Sequence, residues 1–443
     1  MNISQKIFWK FIGITLNIYS VIFFVASIFS LYFGLTTQLE ELKFSIAFLL
    51  LSNVLFFIGN KLSRIQVDLS IISSKKWLAP LTVVSVWILF PLIGVIPYLI
   101  GNVSLIDALF NSYGSFVTAA PYLELRFLSL IAWSILQQWF GGLGIVFFSI
   151  FLLGRTYGWF EMIKIEGIEK EGWDIRSLIS KILFLYVIIT IVGVFLLIIA
   201  GMSPLSAIFE VMAAVCTGTL REFPKASFLQ RVVLLLLSLA GGVGMARLFG
   251  IKKKTYRRII LTYIFYIGLL ATIFSVFQGV RGIENSILLS TTTAVPDIKN
   301  MHPAVFLISL FAIFVGGMVG SPSGGIKFER LLRILSFIKE EVKKATPGYV
   351  AREYLKDEIF QYSLSLVLAY LFLFFLSGLV FSIHRNLNEA LLLSASFLSD
   401  VYVNTQLAAW EKILAIFLMI AGRLGVIPLF VFPFSLILFL KGE

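Results

Sequence analysis

The chain has 443 residues, 59% of them hydrophobic and only 14% charged, with a mean hydropathy of +0.97, which excludes a soluble globular chain and describes a polytopic membrane protein. The single cysteine, Cys216, excludes a disulfide framework and a cysteine metal site, and two histidines, His302 and His384, leave little for imidazole chemistry. A formal net charge of +12 needs no nucleic-acid partner, because the basic residues lie between apolar runs, where the positive-inside rule accounts for them.

Taken in order, residues 8–34 and 44–60 form two apolar runs with Glu40 and Glu41 between them. The first is too long for a cleavable signal and is followed by further spans. Apolar runs then cover 79–100, 127–153, 178–201, 228–250, 257–280, 303–340, 358–383 and 408–440, each long enough to cross a bilayer. Lysine and arginine concentrate in 61–78, 155–181, 247–258 and 327–356, on the side that also holds Lys6, Lys10 and Lys441. That asymmetry places both termini in the cytoplasm of a multi-pass cell-membrane protein.

After the first two runs the same order recurs four times: a span, a short semi-polar segment outside, then a glycine-marked span. The short segments are Leu105–Ala120, Leu205–Thr219, Ile283–Val295 and Leu387–Asp400. Each is too short to span, begins polar and ends in small or hydroxyl residues. Each therefore reads as a helix that dips halfway in and returns extended, with its carbonyl end toward mid-membrane, an arrangement that favours a cation. The glycine spans carry Gly141-Gly-Leu-Gly144, Gly241-Gly-Val-Gly244, Gly316-Gly-Met-Val-Gly320 and Gly422-Arg-Leu-Gly425. Small residues in membrane helices ordinarily serve close packing. Four copies, each at one distance behind a re-entrant segment, make a pattern that packing alone does not predict.

The third copy is the most unusual. Phe314–Arg330 carries five glycines, a proline and two serines inside an apolar run. Each glycine costs a helix roughly 1 kcal/mol against alanine and an interior proline about 3. Non-helical backbone survives at membrane depth only when buried in protein or lining a wet cavity. A broken helix at Gly320–Gly325 is predicted.

With these motifs the chain resembles the Trk/Ktr/HKT superfamily of potassium transporters, over about residues 79–440. Gly316-Gly-Met-Val-Gly-Ser-Pro-Ser-Gly-Gly-Ile-Lys327 is similar to the family's G-G-x-x-G-S-x-x-G-G-I-K, and Gly422-Arg-Leu-Gly425 to its G-R-x-G. The two extra N-terminal helices make it look more TrkH-like than KtrB-like. The resemblance implies an all-α membrane fold, with two N-terminal helices plus four pseudo-symmetric helix–pore loop–helix repeats around a central ion pathway. The expected divisions are 1–78 for the N-terminal helices and linker, then repeats at 79–175, 176–255, 256–356 and 357–443. It implies translocation of K+, with Na+ also possible given the altered filter described below, and no other cofactor and no transition metal. It also implies a homodimer and a cytosolic nucleotide-binding regulatory ring of the TrkA/KtrA kind. By the same resemblance the filter is expected at Thr118, Ala119 and Ala120; Thr217, Gly218 and Thr219; Thr293, Ala294 and Val295; and Ser399, Asp400 and Val401. The gate is expected at Gly320, Ser321, Pro322, Ser323, Gly324 and Gly325, with Arg423 facing the pore beside it.

One departure stands out. The family has a filter glycine at each tip, and the pore-helix pattern aligns Ala120, Thr219, Val295 and Asp400 with it. Glycine serves there because aiming carbonyls at one ion can require positive φ, which is very unfavourable for valine. Pro121 and Pro296 further push Ala120 and Val295 toward extended geometry. Only Thr217-Gly218-Thr219 offers an ordinary filter backbone, so Asp400 is expected either to line the cation entrance as an unpaired carboxylate or to sit in a wet outer vestibule. Arg423 is either pore-facing or a buried arginine bonded to loop carbonyls. Glu210 is expected to bond locally, the Lys252–Lys254 cluster to anchor headgroups, and Lys327, Arg330 and Arg333 to mark the exit of the third-repeat helix. No H-E-x-x-H, paired-carboxylate or Ser/His constellation points to an enzyme. Two readings remain open: a cation-translocating subunit, and a non-conducting homologue that acts as a regulatory or assembly partner.

Overall fold

Helix α1 (Ile3–Thr36) starts at a reciprocal cap: the Asn2 side chain accepts the Gln5 N–H at 2.8 Å, and the Gln5 side chain accepts the Asn2 N–H at 3.2 Å. It pairs with α2 (Leu42–Ser63), and these are the two N-terminal helices expected from the hydropathy. The computed structural model describes residues 2–67, 77–120, 125–153, 175–249, 254–293, 302–344, 358–403 and 405–441. Ala294, Val295, the two prolines after the tips and the Lys252 and Lys253 part of the basic cluster lie outside them.

The remaining helices follow one order four times. A span is followed by a short helix and then a glycine-marked span. The first set is α3 (Leu78–Gly94) with α4 (Ile96–Ile100), then α5 (Leu105–Phe116) and α6 (Leu128–Leu153). The second is α7 (Ile175–Ile199), α8 (Pro204–Val215), α9 (Phe228–Val243) and α10 (Met245–Phe249). The third is α11 (Lys254–Gln278), α12 (Arg281–Ser290), α13 (Pro303–Val315) and α14 (Phe328–Lys343). The fourth is α15 (Glu358–Phe381), α16 (Leu387–Leu398), α17 (Ala409–Leu424) and α18 (Val426–Lys441).

Among the described residues six helices are long and apolar enough to cross a membrane, and no strand occurs. Their outward faces carry large apolar side chains, such as Phe184, Phe195 and Ile199 of α7 at 68%, 62% and 79% exposure. Water would not tolerate so continuous an apolar surface, whereas lipid does. This is an all-α membrane protein.

The chain forms two compact units. The first comprises Met1–Ile163, Gln406–Ile416 and Ile427–Glu443, and the second Lys164–Thr405 and Phe417–Val426. The first is built on aromatic packing, with ring centroids of Phe23 and Trp133 4.4 Å apart and those of Tyr19 and Phe90 4.5 Å apart. Buried side chains between the rings are tied by hydrogen bonds: Trp133 Nε1 donates to the Gly94 carbonyl at 3.0 Å, and Gln137 Nε2 to Ser112 Oγ at 2.9 Å. Buried Glu41 accepts the first main-chain N–H groups of α6, from Leu128 at 2.8 Å and Ser129 at 3.1 Å. The second unit holds the complete second and third sets, α15 and α16 of the fourth, and the Arg423 end of α17.

Candidate functional site

Each short helix ends in the same turn. In α5 the Ala119 N–H reaches the Gly114 carbonyl at 2.7 Å and the Thr118 N–H reaches Ser115 at 3.0 Å. The same pair of bonds recurs from Gly218 to Ala213 and Thr217 to Ala214, from Thr293 to Leu288 and Thr292 to Leu289, and from Val401 to Ser396 and Asp400 to Phe397. These are Schellman caps, which normally place glycine in the left-handed conformation. Here that residue is Thr118, Thr217, Thr292 or Asp400, with φ of 72°, 54°, 56° and 55°. A β-branched residue at such a φ is a genuine outlier, and each costs about 1–3 kcal/mol. Three buried threonines and one buried aspartate are held in strain at four helix ends.

The caps set the register of the tips. Ala120 and Thr219 stand two residues beyond the left-handed residue, but Val295 stands three beyond it and Asp400 occupies it. The alignment expected from sequence is therefore out of step in the third and fourth sets. By register the residues matching Ala120 and Thr219 are Ala294 and Tyr402. Tyr402 is half-buried.

Glycines bring the spans against these ends. A Cβ on Gly141 would overlap the Phe116 carbonyl, one on Gly241 the Val215 carbonyl, and one on Gly422 the Leu398 carbonyl. Each of those carbonyls belongs to the residue two before the left-handed one. The recurrent glycines thus serve close approach, and they serve it at the tips. In the third set the corresponding Ser290 carbonyl instead accepts the Tyr263 hydroxyl at 2.8 Å.

There the span opens into a loop. Helix α13 stops at Val315, Gly316 turns at φ 66°, and the chain is non-helical to Lys327. Main-chain bonds close its neck: Ile326 N–H to Phe314 at 2.9 Å, Lys327 to Val315 at 3.0 Å and Phe328 to Gly317 at 3.0 Å. Between them Ser321, Pro322, Ser323, Gly324 and Gly325 are buried and Gly320 is half-buried. Buried carbonyls need donors, and cationic side chains supply many of them. Lys327 Nζ donates to Ser321 at 3.3 Å and also to Ser323, and Arg423 Nη1 donates to Pro322. Arg247 Nε donates to Val319 at 3.1 Å, and the Met318 N–H reaches Gly242 at 2.9 Å. The Gly324 N–H donates to Thr292 Oγ1 at 2.8 Å, and Gly324 lies so close to the Ser399 backbone that no Cβ would fit.

The second unit therefore brings together the gate residues, Arg423, Thr292 and Thr293, and Ser399, Asp400 and Val401. Asp400 is fully buried and, contrary to the expectation of an unpaired carboxylate, its Oδ2 lies 3.9 Å from Arg423 Nη1. Its oxygens accept no hydrogen bond among the described residues, and the charges of Arg423 and Lys327 act against the cost of its burial without cancelling it. Lys327 does not mark a helix exit; at φ 77° it folds back on the loop it follows. Glu210 bonds locally, its Oε1 accepting the N–H groups of Arg221 at 3.0 Å and Glu222 at 2.9 Å, which pins the chain beyond Thr219. Thr118, Ala119 and Ala120 are buried within the first unit, and Thr217 and Gly218 within the second. Sequence reasoning missed Arg247 and Glu329, which pair at 2.8 Å beside Val319. The only signal was an acidic residue and an arginine at the edges of otherwise basic segments.

No family model matches the chain. It is 26% identical over 384 residues to an uncharacterized cation transporter of Methanocaldococcus jannaschii, covering 78% of this chain and 80% of that one. It is 24% identical over 353 residues to the Trk system potassium uptake protein TrkI of Halomonas elongata, covering 69% of each. Among solved structures, the potassium transporter TrkH of Vibrio parahaemolyticus superposes with a TM-score of 0.77 at 19% identity, over 95% of this chain and 98% of that one. The repeated cap-and-glycine architecture and the G-G-x-x-G-S-x-x-G-G-I-K loop agree with these likenesses: the chain has the fold of TrkH and is similar in sequence to membrane subunits of Trk potassium uptake systems.

Proposed function

We propose that the chain translocates monovalent cations, K+ and to some extent Na+, across the cell membrane, and that the loop from Gly316 to Lys327 limits the flux. The observation that carries this reading is the loop itself: a buried non-helical segment pinned against the tips that contain Thr292 and Ser399. Buried backbone of this kind at membrane depth belongs beside a path. Helix C-termini favour cations, and the second unit offers three such ends, at Thr217, Thr292 and Asp400. Thr118–Ala120 has the same local build and is proposed as the fourth member. Four repeats as divided above, a homodimer, cytoplasmic termini and a cytosolic nucleotide-binding ring remain parts of the proposal, supported by the superfamily.

Where the superfamily has filter glycines, this chain has Ala120, Thr219, Ala294 and Tyr402, so a matched ring of carbonyls is not available. Dehydration of the ion is then incomplete, and discrimination between K+ and Na+ is weak. Tyr402 also favours a second reading, in which the path is plugged and the protein acts as a regulatory or assembly partner.

Rubidium and sodium uptake into proteoliposomes separates the two. The expected result is uptake of both ions by the parent, raised by a variant shortened within Ser321–Ser323. No uptake by the parent, the shortened variant or Tyr402→Gly refutes conduction and leaves the partner reading.

A further inference from the structure

Helix α10 begins after a single-residue break at Gly244, where φ is 86°. This break turns Arg247 inward until only 4% of it remains exposed. Its guanidinium meets three groups. Nε donates to the Val319 carbonyl at 3.1 Å, Nη2 lies 2.8 Å from Glu329 Oε1, and Cζ stands 5.7 Å from the centre of the Tyr256 ring. Glu329 is the second residue of α14 and is itself 8% exposed. Its Oε2 accepts the Val319 N–H at 2.7 Å. The two main-chain groups of one residue are thus held by the two members of one buried ion pair.

We propose that Arg247 and Glu329 are positioning residues for the gate, a clamp that holds the loop shut by gripping Val319. This rests on the reading that the loop limits flux. Val319 is followed by Gly320, where φ is 77° and a Cβ would meet no atom within 4 Å. The chain therefore has room to pivot immediately after the point that is gripped. Arg423 and Lys327 hold the other limb, at Ser321, Pro322 and Ser323. Among the described residues the pair alone holds both Val319 groups of the near limb. Because a buried pair deprived of one partner leaves an uncompensated charge, either loss undoes the whole grip rather than half of it. Glu329 also opens α14, so displacement of that helix draws directly on the Val319 N–H.

The test follows two readouts in the full-length protein: hydrogen exchange of the 316–327 amides, and rubidium uptake into proteoliposomes. Arg247→Gln and Glu329→Gln are each expected to speed exchange in the loop, with α11 unchanged, and to raise uptake by between about 5-fold and 150-fold. The double variant is expected to exceed neither single by much, since one loss already opens the clamp. Arg247→Lys keeps the charge without the fork and is expected to fall between parent and Arg247→Gln. Loop exchange as slow as the parent's in both glutamine variants overturns the clamp. If those variants do not fold, parent-like loop exchange in Arg247→Lys overturns it instead. Faster loop exchange with unchanged uptake in a conducting parent supports the clamp and refutes the loop as the step that limits flux.

Discussion

Three of the four glycine-marked spans break at a glycine of positive φ, and they break differently. In the second and fourth sets one residue is enough: α9 ends at Val243 and α10 resumes at Met245, and α17 ends at Leu424 and α18 resumes at Val426. Gly244 at φ 86° and Gly425 at φ 80° redirect the helix and leave nothing behind. In the third set the helix stops at Val315 and does not resume until Phe328. The leading glycine of the motif therefore serves two ends. In the first, second and fourth sets it lets a helix touch the carbonyl of a tip, whereas in the third it opens a loop whose carbonyls are then collected by lysine and arginine. The difference lies less in the glycines than in whether cations are placed to hold what they release.

Substitution at two glycines should break the comparison most sharply. Gly422→Ala sets a Cβ into the Leu398 carbonyl, backbone against backbone, and is expected to cost about 3 kcal/mol or more. Gly320→Ala meets open space and should cost only the left-handed conformation, about 1 kcal/mol. Thermal unfolding in detergent checks both, and equal losses would erase the distinction between approach and loop.

The next effect concerns the charge over the loop. Arg423→Ala removes the donor to Pro322 and the counter-charge of Asp400 together, so cation leak should rise roughly tenfold, with lysine restoring part of the control. Parent-like flux would make Arg423 a strut only. Asp400→Asn keeps a residue that tolerates the left-handed turn but leaves Arg423 uncompensated, and should lower flux instead.

The smallest effect is at the tips. Thr217→Gly releases a β-branched residue from φ 54° and is expected to stabilise the protein by about 1 kcal/mol while altering the ratio of rubidium to sodium uptake. Stabilisation with an unaltered ratio would place Thr217 outside the path.

Much of this was legible in the chain. Hydropathy marks the spans, and the distance between each polar segment and its glycines marks the repeats. Arg423 was visible because it is a charge inside a span, which is expensive unless paired. The register of the tips was not visible. Schellman caps announce themselves by glycine, and here threonine or aspartate fills the left-handed position, so nothing in the residue types showed where each turn falls. That is why Val295 and Asp400 were aligned with Ala120 and Thr219. Arg247, Lys327 and Glu329 were hidden for another reason. They lie at the edges of cytoplasmic segments, where the positive-inside rule already accounts for charge, and only the backbone path turns them inward.

The closed neck of the loop has a mechanical consequence. Because Phe314 with Ile326, Val315 with Lys327 and Gly317 with Phe328 are joined by main-chain bonds, the two halves of the broken span are tied at the base of the loop. The segment above is a bight of chain held by side chains, so losing those bonds releases it while the neck between α13 and α14 stays tied. Its motion then belongs with loop excursions of nanoseconds to microseconds rather than with the slower parting of packed helices. On the proposed reading of this loop as the barrier, opening would be that of a flap, quick and without loosening the frame.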